Sequence, residues 1–124
     1  MAKDDTVPLP DGDEIRLGDV GQEIILENEH TRVWHIALEP GESQPWHLHH
    51  NPYLVIAIEA ADNRITYLDG SFRDVHEFVG RTIEMRPSPV HMLTNVGSTR
   101  YLSRLIEFKD LGENLPGGWR DGAA

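Results

Sequence analysis

Short runs of β-branched and aromatic residues, each closed by glycine, proline, asparagine or aspartate, recur along this chain, and no stretch carries apolar residues at helical spacing. Thr31 to Leu38 alternates Val33, His35 and Ala37 with Trp34, Ile36 and Leu38, the period of a strand with two different faces, and Pro40-Gly41 ends it. Glu23 to Leu26 reads as an earlier strand, joined to it through Asn28-Glu29-His30. Tyr53 to Ile58 is nearly continuously apolar, as in a strand covered on both faces, and Ala61-Asp62-Asn63 then reads as a hairpin turn into Arg64 to Leu68. Asp69-Gly70-Ser71 leads into Phe72 to Phe78, Gly80 interrupts, and Arg81 to Arg86, Val90 to Asn95 and Tyr101 to Phe108 follow.

About eight short strands with tight turns predict an all-β fold, closed into a jelly-roll β-barrel because closure removes exposed strand edges. A chain of 124 residues is one domain. Residues 1–30 read as an acidic arm with an edge strand, 31–108 as the barrel, and 109–124 as a loop-like tail. Gly112, Pro116, Gly117 and Gly118 argue against regular structure in that tail, where Trp119 is expected to cover apolar surface on this subunit or a partner.

The net charge of −10 repels phosphate backbones and anionic head groups, so neither nucleic acid nor membrane is an expected partner. Residues 1–29 hold nine of the acids against Lys3 and Arg16, a solvated acidic face. No apolar run approaches the roughly 20 residues that would span a bilayer. The opening MAKDDTVPLPDGDE lacks the apolar segment of a secretory signal, so a cytoplasmic location is expected. With no cysteine, disulfides, thiolate ligands and cysteine nucleophiles are excluded, leaving nitrogen and oxygen as metal donors.

His47 and His49 stand two apart, which on a strand puts both imidazoles on one face, about 6.6 Å apart along the chain, where they can converge on one ion. Gly41, five residues, then His47-Leu48-His49 resembles the first motif of the cupin family; Gly80, ten residues, His91, three residues, Asn95 and then Gly97 resembles the second. The resemblance covers roughly residues 31 to 108. It implies a double-stranded β-helix in which His47, His49 and His91 meet inside the barrel around one divalent transition metal ion. It also implies a small-molecule ligand and a homodimer that docks terminal strands, here residues 15 to 28 and the Trp119 tail.

Several positions depart from the family pattern. Tyr53 stands where a ligating glutamate usually follows the second histidine, Ala60 replaces the closing glycine, and Arg86 and Ser88 replace the usual proline and glycine of the second motif. Three neutral imidazoles would leave the full 2+ charge of the ion in the pocket, so an anionic chelating ligand is expected. Imidazole suits iron, zinc, nickel and copper. Three-histidine iron sites among cupins are associated with dioxygenases, which makes iron and dioxygenase-like chemistry the leading expectation; zinc or nickel with hydrolytic, lyase or isomerase chemistry stays open, as does a non-catalytic binding protein.

Tyr53 and His50 are the candidates for proton transfer, His50 from the rim because it alternates away from His49. Gln44, Arg86 and Arg104 are the candidates to hold a substrate carboxylate. His30, His35 and His76 read as turn, strand and surface residues without a ligand role.

Overall fold

The computed structural model describes residues 6–87 and 89–111 of the chain. Among these residues run β1 (Thr6–Pro8), β2 (Glu14–Arg16), β3 (Glu23–Glu27), β4 (Thr31–Leu38), β5 (Ser43–His47), β6 (Tyr53–Glu59), β7 (Ala61–Tyr67), β8 (Phe72–Glu77), β9 (Thr82–Met85), β10 (His91–Asn95) and β11 (Tyr101–Phe108), closed by one 3-10 turn at Lys109–Leu111. One sheet has the order β3-β4-β11-β6-β9, a second has β5-β10-β7-β8, and β1 and β2 form a separate ribbon. From β4 onward the chain changes sheet at every connection except β7 to β8, the winding of a jelly roll. No helix among the described residues is long and apolar enough to cross a membrane.

Side-chain alternation decides what faces inward. Arg32, Trp34, Ile36 and Leu38 on β4 and Tyr101, Ser103, Leu105 and Glu107 on β11 are buried, while their neighbours are only partly so. The two strands pair along their whole length, from Tyr101 opposite Leu38 to Phe108 opposite Thr31. Burying side chains such as Ile36, Leu38 and Leu105 is worth about 1.5–3 kcal/mol each. Gly21 lets the segment before β3 lie flat on the core, for a Cβ there would stand 2.7 Å from Trp34 Cβ.

The inward row also carries charge. Glu107, 3% exposed, accepts from Arg32 Nη1 at 3.1 Å and Trp34 Nε1 at 2.5 Å through Oε1, and from Asn51 Nδ2 at 3.0 Å through Oε2. Arg32 Nε also reaches Glu27 Oε2 at 3.1 Å, an oxygen shared with Lys109 Nζ at 2.8 Å. This network closes one end of the barrel and ties the loop after β5 to β11.

Ala61-Asp62-Asn63, expected as a hairpin turn, instead opens β7, and Ala60 alone separates it from β6 in the other sheet. Tertiary partners override the turn propensity. Asp62 binds His76 Nδ1 through Oδ1, its carbonyl accepts from Val96 N, and the fully buried Asn63 pairs with Asn95 across the sheet. The short β1 and β2, absent from the sequence reading, pair through three residues each. The expected tail contact of Trp119 lies outside the described residues.

Candidate metal centre

β5 and β10 are antiparallel neighbours, and His47 stands directly opposite His91. His49 reaches the same place by another route: β5 ends at His47, so His49 sits beyond the ladder, not on a continuous strand as its spacing had implied. Burial still alternates through His47, His49 and Asn51, and the bond from Asn51 to Glu107 anchors that extended segment. The three imidazoles are all buried, and one nitrogen from each lies within 4.8 Å of the others. Among the described residues no carboxylate joins the group, as expected from Tyr53 at the position of the usual glutamate.

Their hydrogen bonds orient two of the rings. His47 Nδ1 lies 2.6 Å from the Pro45 carbonyl and His91 Nδ1 lies 2.8 Å from the Pro89 carbonyl. A carbonyl only accepts, so each Nδ1 carries the proton and each Nε2 keeps its lone pair, the arrangement that prepares a histidine for a metal. His49 Nδ1 is buried without a hydrogen-bond partner among the described residues. Its ring stacks on Tyr53 with centroids 3.9 Å apart.

Burial, and next the charge of His91, push His47 down to about 3, against a smaller opposing effect of the Pro45 carbonyl. Burial likewise takes His49 well below the ordinary histidine value, with His47, His91 and His50 adding to it. His91 is lowered chiefly by burial and to a lesser degree by Arg73, with the Pro89 carbonyl opposing. All three are therefore neutral near pH 7, the state that ligates. Convergent, neutral, pre-oriented imidazoles fit a divalent transition metal ion.

The histidines form part of the wall of a cavity of about 70 Å³, room for about two waters or one small ligand. Its other walls are apolar, including Ile36, Val55, Ile83 and Leu105, with Gln44, Tyr53, Glu77 and Tyr101 as the polar exceptions. Among the described residues neither lysine nor arginine lines it.

The expected site residues divide accordingly. Tyr53 and Gln44 line the cavity, but the Gln44 amide nitrogen already donates to the Asp19 carbonyl at 2.9 Å and the Gly21 carbonyl at 3.1 Å, so it is not offered to a carboxylate. Arg86 is exposed in an outer groove with Pro52, Glu84 and Phe108. Arg104 stands on the outer face of β11, its Nη1 donating to His35 Nδ1 at 2.9 Å. Neither arginine can hold a ligand inside the barrel, because strand alternation turns Arg104 outward and Arg86 follows the end of β9. His50 is half-buried beside His49 and does not line the cavity. His30 and His76 are exposed and paired with Asp110 and Asp62.

Sequence reading missed Glu77, Asn51 and Glu107. Glu107 had a signal, being a charged residue in phase with Tyr101, Ser103 and Leu105 on the inward face of its strand. Asn51 and Glu77 had none.

No family model matches the chain, and no curated protein matches its sequence. Solved structures do match its shape. A cupin domain from Bordetella pertussis superposes with a TM-score of 0.64 at 18% identity, covering 87% of this chain and 97% of that one. A double-stranded β-helix protein from Klebsiella pneumoniae gives 0.59 at 18% identity with 84% of each chain covered, and an RmlC-like cupin from Methanocaldococcus jannaschii gives 0.58 at 21% with 69% and 76% covered. The chain therefore has the cupin double-stranded β-helix fold. Within it, His47, His49 and His91 form a cluster able to hold a metal ion.

Proposed function

We propose that this chain is a mononuclear metal-binding cupin that acts on a small, carboxylate-bearing metabolite, with dioxygenase-like chemistry as the leading reaction. The observation that carries this reading is the donor set: three neutral imidazoles around one point, with no carboxylate among them. His47, His49 and His91 would hold the ion, with iron favoured over zinc, nickel or copper. Bound there, a divalent ion supplies an undiminished 2+ charge and open positions for small ligands. Among the described residues no lysine or arginine lines the cavity, so the ion is the counter-charge available there to an anionic ligand end.

The chain's own groups do the rest. The largely aliphatic wall leaves room only for a ligand of a few heavy atoms. Tyr53, stacked on His49, is the group placed to exchange a proton with a bound ligand. Metal-dependent isomerase or lyase chemistry would use the same centre without oxygen uptake.

The test is oxygen consumption by protein loaded with ferrous iron and supplied with a panel of small hydroxy, keto and thiol carboxylates. Uptake with at least one compound, abolished in His47→Ala and slowed in Tyr53→Phe, supports the reading. Stoichiometric iron with no uptake across the panel would set the oxygenase chemistry aside in favour of a binding protein.

Pairing through β3 is proposed as well. It forms an edge of the five-stranded sheet, and its Ile24, Ile25 and Leu26 are 38%, 45% and 53% exposed, an apolar edge of the kind proteins usually cover. Sedimentation equilibrium should give a dimer that Ile25→Lys or Leu26→Lys dissociates.

A further inference from the structure

The inward side chains of the barrel are stacked in layers, and the layer next to the histidines is aliphatic. On β10 and β7, His91 stands opposite Tyr67 and, two residues on, Leu93 stands opposite Ile65. In the other sheet, Tyr53 on β6 stands opposite Met85 on β9 and Glu107 on β11; two residues on from Tyr53, Val55 stands opposite Ile83 and Leu105. His49 stacks on both Tyr53 and His91, which sets the first rows of the two sheets level. The second rows follow in the same direction, because Asn95 at the end of β10 donates to the carbonyl of Leu38, the partner of Tyr101 at the far end of β11. Val55, Ile65, Ile83, Leu93 and Leu105 all line the cavity, one inward position, or about 6.6 Å along each strand, from the histidine row.

The polar groups around that layer are engaged or remote. Gln44 pairs with Leu93, but its Nε2 donates to the Asp19 and Gly21 carbonyls and its Oε1 is buried out of contact. Glu77 accepts from Arg81 Nη1 at 2.8 Å and from Asn63 Nδ2 at 3.4 Å. Tyr101 stands two inward positions beyond Leu105 on β11, away from the histidines. Among the described residues, the layer therefore offers a ligand methyl and methylene surface and no accessible hydrogen-bonding side chain. We infer that this layer selects the ligand: a carboxylate at the histidine centre carries a short aliphatic chain into it, with any second polar group confined to the carboxylate end. Short-chain aliphatic carboxylates are then the favoured class. A hydroxyl or ammonium on the chain would be buried without a partner, whereas each methylene passes from water into contact with hydrocarbon. This inference rests on the metal-centre reading above and names the class of ligand that centre takes.

A homologous series reads the wall directly. Acetate, propionate and butyrate, titrated into cobalt(II)-loaded protein and followed by the visible bands of the ion, should bind about three- to fourfold more tightly with each added methylene. The isostere β-hydroxypropionate, which carries a hydroxyl in place of the terminal methyl of butyrate, should bind about tenfold more weakly than butyrate. In Val55→Thr, which sets a hydroxyl into the layer with little change of shape, that gap should narrow to about threefold or less. A flat series in wild-type protein, or β-hydroxypropionate binding as tightly as butyrate, overturns the inference even if the variant fails to fold, while cobalt bands that respond to the acids leave the metal centre standing. An undiminished gap in a folded Val55→Thr overturns it also. Absence of the bands removes the metal centre and this inference together.

Discussion

Replacing Glu107 by leucine should destabilise the barrel more than any surface ion-pair change, and the structure sets the size of the effect. Glu107 is the acceptor for three buried donors, the Arg32 guanidinium, the Trp34 indole and the Asn51 amide, and Arg32 and Glu107 side chains are 1% and 3% exposed. Removing one partner of a buried ion pair costs about 3–5 kcal/mol, because the charge left behind stays desolvated. Arg32 keeps its contact with Glu27, so the lower half of that range is expected, about 3–4 kcal/mol. Glu27, whose side chain is 38% exposed, supplies the contrast: Glu27→Gln should change stability by less than about 1 kcal/mol. Urea denaturation of the three proteins measures both. The double variant Arg32→Met/Glu107→Leu should recover much of the loss, since neither charge is then stranded. A loss below about 1 kcal/mol in Glu107→Leu, or a double variant less stable than the single one, would refute this account of the barrel end.

Acid should destabilise the metal-free protein. His47 is held neutral by burial, down to about 3, so the unfolded chain binds a proton that the folded one refuses as pH falls below about 6.5. His47 alone should remove about 2 kcal/mol between pH 7 and pH 5, measured by denaturation at each pH; wild-type and His47→Phe proteins losing stability in parallel would contradict it. Asn51→Ala, which frees the segment after His49 from Glu107, should weaken divalent metal affinity about tenfold or more while leaving the fold intact, as read by metal competition and circular dichroism. Gly21→Ala should cost about 1–3 kcal/mol by forcing a methyl group against Trp34, visible as a lowered Tm.

Much of the barrel was legible because strand period and burial agree. Thr31–Leu38 and Tyr101–Phe108 have the bounds that their alternation implies, and turn residues mark the β7–β8 hairpin at Asp69-Gly70-Ser71. Misreading came where a long-range partner outweighs local preference. Asp62 and Asn63 have turn chemistry but are held in β7 by His76, Val96 and Asn95. The histidine cluster was legible from motif spacing, yet His49 enters it from beyond the end of β5, anchored two residues on by a glutamate 56 positions away in sequence. Which arginine faces a ligand could not be read from residue type, since Arg104 and Arg86 owe their outward placement to strand phase and to the end of β9. Gln44, read as a candidate to hold a carboxylate, lines the cavity, but its amide nitrogen is taken by carbonyls of a segment more than twenty residues earlier in sequence.

The most direct test of the metal centre is elemental analysis of untagged protein beside its His91→Ala variant, each incubated with ferrous iron, zinc, nickel and copper in turn and then freed of excess by gel filtration. Wild-type protein should retain about one ion per chain of at least one of these metals, and the variant should retain almost none while keeping its β-sheet circular dichroism. Equal retention by both proteins, or none by either, would contradict a centre built on His47, His49 and His91.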